Sequence, residues 1–472
     1  MSDAKRIHLI GICGTAMATL AALLKQRGHD VRGSDQNVYP PMSDFLAAEG
    51  IRTMSGYAAE HLEPGLDLVV VGNAISRGNP ELEAVLERRL RYCSLPEAIR
   101  EFFLWDARPV VVAGTHGKTT TTSLTGWLLA HGGLDPTILI GGVALNFGDG
   151  GSSYRVGRGP HFVIEGDEYD SAYFDKTAKF LKYLPEIAIV NNVEFDHADI
   201  YADLDAVRLA FRRLTTLVPR SGVLLLGADS PDALALKSAA VSPVETFGLG
   251  EGVTWRATDI GHRDGLTHFD VQHEGRSFGR FASPLLGAHN VRNALAGIAV
   301  GARAGLTAAV LADGLCAFRG IKRRLEIVGE RRGVVVLDDF AHHPTAVRET
   351  LAALRTGYPD RRIWAVFEPR SASSCLKVFQ RDFVQAFEGA DQVVVAPVFR
   401  SKVAEDRRLS PEALVADLVA MGRHARAASS TADIVDTVAR EAASGDLVVV
   451  MSNGGFDGVH EKLLGALGDR AR

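Results

Sequence analysis

Directly after the apolar run Pro109–Ala113 the chain reads Gly114, Thr115, His116, Gly117, Lys118, Thr119 and Thr120. A glycine loop, a lysine and a row of hydroxyls between a strand and a helix-like run (123–130) aim backbone N–H groups and a helix N-terminus at one point. That is the chemistry that holds phosphates. Lys118 would reach the terminal phosphates of a nucleotide as a point charge, and the Thr119 hydroxyl would face Mg²⁺. The competing reading is an ordinary strand-to-helix turn with a solvated lysine; Gly-Lys-Thr after an apolar strand favours the nucleotide. Two residues depart from the usual phosphate loop. Val112 stands where a glycine is common, and His116 precedes Gly117, so the loop is shortened.

Other polar groups follow strand-like runs in the same way. His161–Ile164 ends in Glu165-Gly-Asp167-Glu168-Tyr-Asp170, where carboxylates suit Mg²⁺ or its water shell; Glu165 is the best ligand, and some of the others read equally as a solvated acidic turn. The next run ends in Asn191-Asn-Val-Glu194-Phe-Asp196-His197, so His197 is a second cation ligand or a proton carrier. At a helix start, Asn290 and Asn293 offer the donor–acceptor pair of an adenine edge, with capping as the competing use of Asn290. In Lys322-Arg323-Arg324 an arginine can swing onto a γ-phosphate, or the stretch is a solvated basic linker. The run Val334–Leu337 ends in Asp338-Asp339-Phe-Ala-His342-His343-Pro344, suited to a ribose hydroxyl and a reacting centre, or to capping by one Asp. Near the start, Gly11-Ile-Cys13-Gly14-Thr15 follows a strand, and Ser34-Asp35 lies about 20 positions on, where dinucleotide folds place a ribose reader; the incomplete glycine pattern argues against a dehydrogenase.

Strands alternating with helices must carry these groups, in α/β units with mostly parallel sheets. Restarts of that pattern divide the chain into regions 1–106, 107–320 and 321–472, with an antiparallel β insert around 244–282. The chain has 472 residues, 46% hydrophobic and 23% charged, enough for several cores. A formal charge of −5 without a basic block argues against nucleic acid as a partner. Four scattered cysteines give neither a metal cage nor a disulfide framework. No apolar window approaches the ~20 residues a membrane span needs, and no signal peptide is read, so a cytoplasmic protein is expected.

Taken in order, Gly114–Thr120, Glu165, His289-Asn-x-x-Asn293, Arg323-Arg324 and Asp339–Pro344 resemble the Mur ligase family over the whole chain. The resemblance implies three domains. A Rossmann-like first domain holds a UDP-sugar through Gly11, Cys13, Gly14, Thr15, Ser34 and Asp35. A central P-loop ATPase domain follows, and a Rossmann-like C-terminal domain brings an amine. ATP would lie along Gly114–Thr120, with Lys118 and Arg324 on the β- and γ-phosphates, Asn290 and Asn293 at adenine and Asp339 at ribose. Mg²⁺ would sit on Thr119 and Glu165, and a second Mg²⁺ on His197; His342 would orient an intermediate or accept a proton. The segments Asn37–Ser43, Gly72–Pro80, Phe195–Ile200, Glu368–Ser371 and Ser452–His460 are similar to the branch that joins L-Ala-γ-D-Glu-meso-diaminopimelate to UDP-N-acetylmuramate, with Arg370 and Asn453 as candidates for the amine end. The alternatives are the branch that adds L-alanine alone and a non-enzymatic P-loop switch. Several family members bridge their metals with a carbamylated lysine; this chain has no Lys between Lys182 and Lys237, and Arg212 or Arg213 is the expected stand-in.

Overall fold

The computed structural model describes residues 4–40, 42–399 and 403–469, so Pro41 in the segment 37–43 lies outside the described residues. The chain forms two compact units. One holds the residues up to Gly141, Ser152–Glu194 and Asp205–Phe247; the other holds Gly142–Gly151, Phe195–Leu204 and the chain from Gly248 onward.

In the first unit, β1 (Arg6–Ile10), β2 (Asp30–Asp35), β3 (Arg52–Ser55), β4 (Leu68–Val71) and β5 (Tyr92–Ser94) form a sheet in the order β3-β2-β1-β4-β5. All its pairings are parallel. Such a sheet is covered on both faces, which is why its inner strands read as almost unbroken apolar runs. The chain leaves β1 towards β2 on one side and returns as β4 on the other. That reversal opens a crevice beyond the carboxyl ends of the strands, where the glycine turn lies.

The same unit carries β6 (Arg108–Ala113), β7 (Thr137–Ala144), β8 (Ser152–Arg155), β9 (His161–Glu165), the hairpin β10 (Asp170–Ala172) and β11 (Asp175–Ala178), then β12 (Ile187–Val190), β13 (Val223–Gly227) and β14 (Val244–Gly248). Their order is β14-β13-β12-β6-β9-β7-β8, with β6 between β12 and β9. Val112 is a core residue of β6, paired with Ile189 and Glu165. The strand therefore runs on to Ala113, and the loop shrinks to Gly114–Gly117. The helix after it starts at Lys118, five residues earlier than the apolar pattern suggests, and ends at His131. Its first turns are buried but rich in threonine. Thr122 and Ser123 donate their hydroxyls to the carbonyls of Lys118 and Thr119, so these two polar residues enter the core with their donors satisfied.

The second unit opens with the expected antiparallel insert, a meander of β15 (Trp255–Arg263), β16 (Leu266–His273) and β17 (Arg276–Ser283). Its first turn is Asp264-Gly265, both at positive φ (53° and 75°), the geometry a two-residue hairpin requires. The final sheet contains β18 (Glu326–Arg331), β19 (Val334–Asp339), β20 (Ile363–Phe367), β21 (Gln392–Val395), β22 (His424–Ala427) and β23 (Leu447–Met451) in the order β18-β19-β23-β20-β21-β22. Only β18 is antiparallel to its neighbour within it. Alternate residues bury opposite faces: Val335, Leu337, Ala365, Phe367 and Val449 in one core, Val334, Val336, Trp364, Val366 and Val448 in the other. The edge strands β18 and β22 were not foreseen, because their exposed, charged residues carry no apolar run. Among the described residues no helix is long and apolar enough to cross a membrane.

Trp364 is fully buried and donates its indole N–H to Asp446, which also binds Arg362. Trp364→Phe should lower the unfolding free energy by about 1–2 kcal/mol through the lost bond. Trp364→Ala, which also leaves a cavity, should cost about 3–5 kcal/mol in a denaturant titration.

Candidate active site

The phosphate loop is tied to the segment that follows β12. Thr115 N donates to the Asn192 carbonyl (3.1 Å), and His116 N donates to Asn192 Oδ1 (2.7 Å). Glu194 N donates to Thr115 Oγ1 (2.9 Å). Gly114 has φ 135°, and a Cβ there would meet Asn191 and the amide of Asn192 at 3.0–3.2 Å, so only glycine allows this approach. Gly117, left-handed at φ 79°, turns the chain into the helix, whose first amides point back over the loop.

Lys118 is held inside this loop. Its Nζ donates to the carbonyls of Gly114 (2.8 Å) and Thr115 (3.3 Å) and to both oxygens of Glu168 (2.8 and 3.1 Å). Burial pulls the Lys118 pKa down, but Glu168 and Asp167 outweigh it and hold it above the usual lysine value. The acidic turn after β9 is therefore not solvated. Glu168 is buried, while Asp167 and Asp170 pair with Lys179 and Lys176. Glu168 was one of several acidic residues in the sequence; its pairing with the loop lysine is what the structure adds.

Glu165 faces the other side of the helix start. It accepts from Thr119 Oγ1 (2.9 Å) and from Gly141 N (2.7 Å), and a Cβ on Gly141 would lie 2.8 Å from its Oε2. Burial, with Asp167 adding to it, pushes the Glu165 pKa up. A half-buried carboxylate and a hydroxyl at 2.9 Å form a hard-oxygen pair, and a cation there would reverse the cost of ionising Glu165. The donors therefore fit a magnesium ion. Arg212 and Arg213, the proposed stand-ins for a bridging lysine, are both exposed on their helix (Leu204–Thr215), which gives no support to that role.

In the second unit, the helix Ala288–Arg303 starts after Gly287 without a side-chain cap. Asn290 is not a cap: its Nδ2 donates back to the Leu286 carbonyl (2.8 Å), and its Oδ1 accepts from Asn293 Nδ2 (3.1 Å). His289 and Arg292 flank Glu349 of the helix Pro344–Gly357 at 3.6 and 2.9 Å. Burial opposes ionisation of Glu349, but the hydrogen bond from His289 and the Arg292 guanidinium hold its pKa down at about 2. Asp339 is buried at the end of β19 and accepts from Leu325 N (2.8 Å), Ala341 N (2.9 Å) and Thr350 Oγ1 (3.2 Å). Neither Asp338 nor Asp339 caps the helix that follows; His343 does, through Nδ1. Burial pushes the Asp339 pKa up, with Arg324 acting against it. Arg324 lies over the Phe340 ring, 5.0 Å from its centroid. Arg323, on the same ring, is instead anchored to Asp338 and to the carbonyls of Ser452 and Gly454.

The segment Phe195–Leu204 belongs to this second unit. His197 adopts φ 51°, and its amide donates to Asp196 Oδ1 (2.7 Å). Asp196 is buried and would be raised by that burial, yet His342, His197 and His343, with the Ser373 hydroxyl, hold it well below the usual carboxylate range. In the sequence Asp196 stands beside His197 alone; His342 and His343 reach it from about 146 positions away, which no local spacing reports. His342 Nδ1 donates to the Phe340 carbonyl (2.8 Å), so the neutral form of the ring would carry its lone pair on Nε2. At the ends of β20 and β23, Arg370 contacts Glu368 (3.4 Å), stacks 3.6 Å from the Phe399 centroid and lies against Gly454. Asn453 Oδ1 is buried with no hydrogen-bond partner among the described residues.

In the first domain, Gly11 is left-handed at φ 84°, and Gly14 and Thr15 are exposed at the helix start. Cys13 N donates to Asp35 Oδ2 (2.9 Å), so Asp35 braces the turn. Ser34 departs from its expected role. Its hydroxyl is fully buried and donates to Glu81, so only its backbone reaches the turn.

Three family models match the chain: Mur ligase family, catalytic domain (residues 6–104), Mur ligase middle domain (112–301), and Mur ligase, glutamate ligase domain (323–454). The UDP-N-acetylmuramate–L-alanyl-γ-D-glutamyl-meso-2,6-diaminoheptandioate ligase of Escherichia coli (strain K12) is 42% identical over 469 residues, 99% of either chain. The UDP-N-acetylmuramate–L-alanine ligase of Salinibacter ruber is 37% identical over 401 residues, 85% of this chain and 82% of that one. Among solved structures, a murein peptide ligase from Psychrobacter arcticus 273-4 superposes with a TM-score of 0.72 at 37% identity, covering 99% of each chain.

Two predictions follow from the charges. Glu168→Gln leaves the Lys118 ammonium buried without its anion, a loss of about 3–5 kcal/mol. A bound triphosphate restores that anion, so saturating nucleotide should raise the Tm of this variant more than that of the wild type; equal increments would contradict the pairing. Glu349 has a lowered folded pKa, so its contribution is full above its unfolded value and is lost as pH falls towards about 2. Between pH 4.5 and 2, Glu349→Gln should therefore show a shallower loss of unfolding free energy than the wild type.

Proposed function

We propose, because this chain belongs to the Mur ligase family, that it is the ATP-dependent ligase joining L-alanyl-γ-D-glutamyl-meso-diaminopimelate to the lactyl carboxylate of UDP-N-acetylmuramate in peptidoglycan recycling. The observation that carries this reading is 42% identity over 99% of both chains with a relative named for that reaction. Relatives named for L-alanine are less similar, at 33–37% identity, so the single-residue reaction is not favoured. Regions 1–106, 107–320 and 321–472 would serve the sugar nucleotide, ATP and the amine respectively, in the cytoplasm.

An ionised carboxylate does not acylate an amine, so it must first gain a leaving group. In the proposed sequence a lactyl oxygen attacks the γ-phosphorus of ATP, ADP departs and an acyl phosphate forms. Such a transfer needs positioning and charge neutralisation more than covalent help. Lys118, already charged and held in the loop, would move its ammonium from Glu168 to the β- and γ-phosphates, which the helix N-terminus also faces. Arg324 would add a second cation. Asn290 and Asn293 would meet the adenine, and Asp339 would meet the ribose while it braces the backbone at Leu325 and Ala341. Thr119 and Glu165 would hold Mg²⁺, with His197 serving a second ion; when bound, such ions neutralise phosphate charge. The neutral α-amine of the peptide then attacks the acyl carbon, the C–O bond to phosphate breaks, and inorganic phosphate leaves. His342, whose neutral ring would carry its lone pair on Nε2, is the residue assigned to take the amine proton. Arg370 and Asn453, at the ends of β20 and β23, are the candidates for the diaminopimelate end.

Phosphate release from ATP in the presence of UDP-N-acetylmuramate tests the assignment. Turnover is expected with the tripeptide and not with L-alanine. Turnover with L-alanine alone would move the chain to the other branch. Steady hydrolysis that needs neither amine nor sugar nucleotide would identify a P-loop switch instead.

A further inference from the structure

Beneath the glycine turn of the first domain lies a polar cluster that the reaction does not use. Glu81, in the first turn of the helix Pro80–Glu87, is completely buried, as are His8 and Ser34. A buried carboxylate is costly unless its lone pairs are filled, and here four donors fill them. Oε2 accepts from His8 Nε2 (3.0 Å) and from the Ser34 hydroxyl; Oε1 accepts from His61 Nδ1 (2.6 Å) and Ala58 N (3.3 Å). Burial would raise its pKa, but His8, Ser34 and His61 hold it below the usual glutamate value. His8 Nδ1 has no partner among the described residues, so His8 meets the network only through Nε2.

The four donors come from β1, β2 and the 58–61 turn, the pieces that surround the crevice. Ser34 then passes the constraint on: its carbonyl accepts from both Gly11 N (2.8 Å) and Ile12 N (3.0 Å). The next residue, Asp35, accepts from Cys13 N and Asn37 N, and its carbonyl takes Gly56 N (2.8 Å). One carboxylate thus fixes the strand end that shapes the glycine turn and the turn on the opposite wall.

We propose that Glu81 is a positioning residue for the sugar nucleotide: through Ser34, His8, His61 and Ala58 it sets the shape of the glycine-turn pocket without touching the ligand. This rests on the reading of the first domain as the UDP-sugar site. The test is steady-state kinetics on the full-length enzyme with E81Q, S34A and the double variant, varying UDP-N-acetylmuramate, ATP and tripeptide in turn. E81Q should raise KM for UDP-N-acetylmuramate about tenfold or more, with kcat and the KM for ATP within about twofold. S34A should raise the same KM about threefold, and the double variant should match E81Q alone, because the hydroxyl acts only through Glu81. A fall in kcat with an unchanged sugar-nucleotide KM would overturn the proposal, as would a double variant equal to the product of the singles, which would mean that Ser34 meets the ligand directly. If E81Q does not fold, H61A carries the test from the solvent side of the network, with the same KM expected to rise about threefold and an unchanged KM overturning the proposal. A wild-type enzyme that UDP-N-acetylmuramate does not saturate would remove the proposed function as well, so the two failures are distinguishable.

Discussion

A lysine that must meet phosphate in a water-poor loop has to be charged before the phosphate arrives, and burial alone would discharge it. The Lys118–Glu168 pair resolves that conflict. Both side chains are largely withdrawn from water, and two loop carbonyls share the ammonium. Everything around the loop serves this arrangement. Val112 stays in the strand so that the loop is short, Gly114 lets it press against Asn191, and Asn192 fixes the amides of Thr115 and His116. In the proposed function, a nucleotide would exchange one anion for another instead of having to create a buried charge.

Elsewhere buried carboxylates hold backbone and imidazoles in place. Asp339 accepts from two amides and a hydroxyl; Asp196 gathers His197, His342 and His343; Glu349 clamps two helices through His289 and Arg292. Asp339 and Asp196 sit at or beyond strand ends, where α/β sheets leave room for ligands, and Glu349 faces the start of the helix Ala288–Arg303. The orientation of these side chains is therefore fixed before any ligand arrives, the kind of preorganisation by which binding geometry contributes to rate.

Much of this was legible in the sequence because it depends on local pattern. Apolar runs located the central strands, and Gly-Lys-Thr after one of them located a strand–loop–helix turn with Lys118 at its helix start. The strand ends at Glu165 and Asp339 marked where polar groups emerge. Other features were hidden for physical reasons. The threonine-rich start of the loop helix lacks apolar periodicity because its hydroxyls bond to the preceding turn. Edge strands 326–331 and 424–427 are exposed and charged. The inward turn of Ser34, the partner of Lys118 and the imidazoles around Asp196 are set by residues tens of positions away, and no spacing rule reports them.

The central claim is that this charge-matched loop serves the transfer of phosphate to a carboxylate, and isotope transfer tests it most directly. With UDP-N-acetylmuramate carrying ¹⁸O in both lactyl carboxylate oxygens, ATP and the tripeptide, attack by that carboxylate places one labelled oxygen in the released phosphate. Mass spectrometry should find a single ¹⁸O per phosphate formed, in step with amide product. Unlabelled phosphate accompanying amide formation would contradict the acyl-phosphate route and the role assigned to the loop.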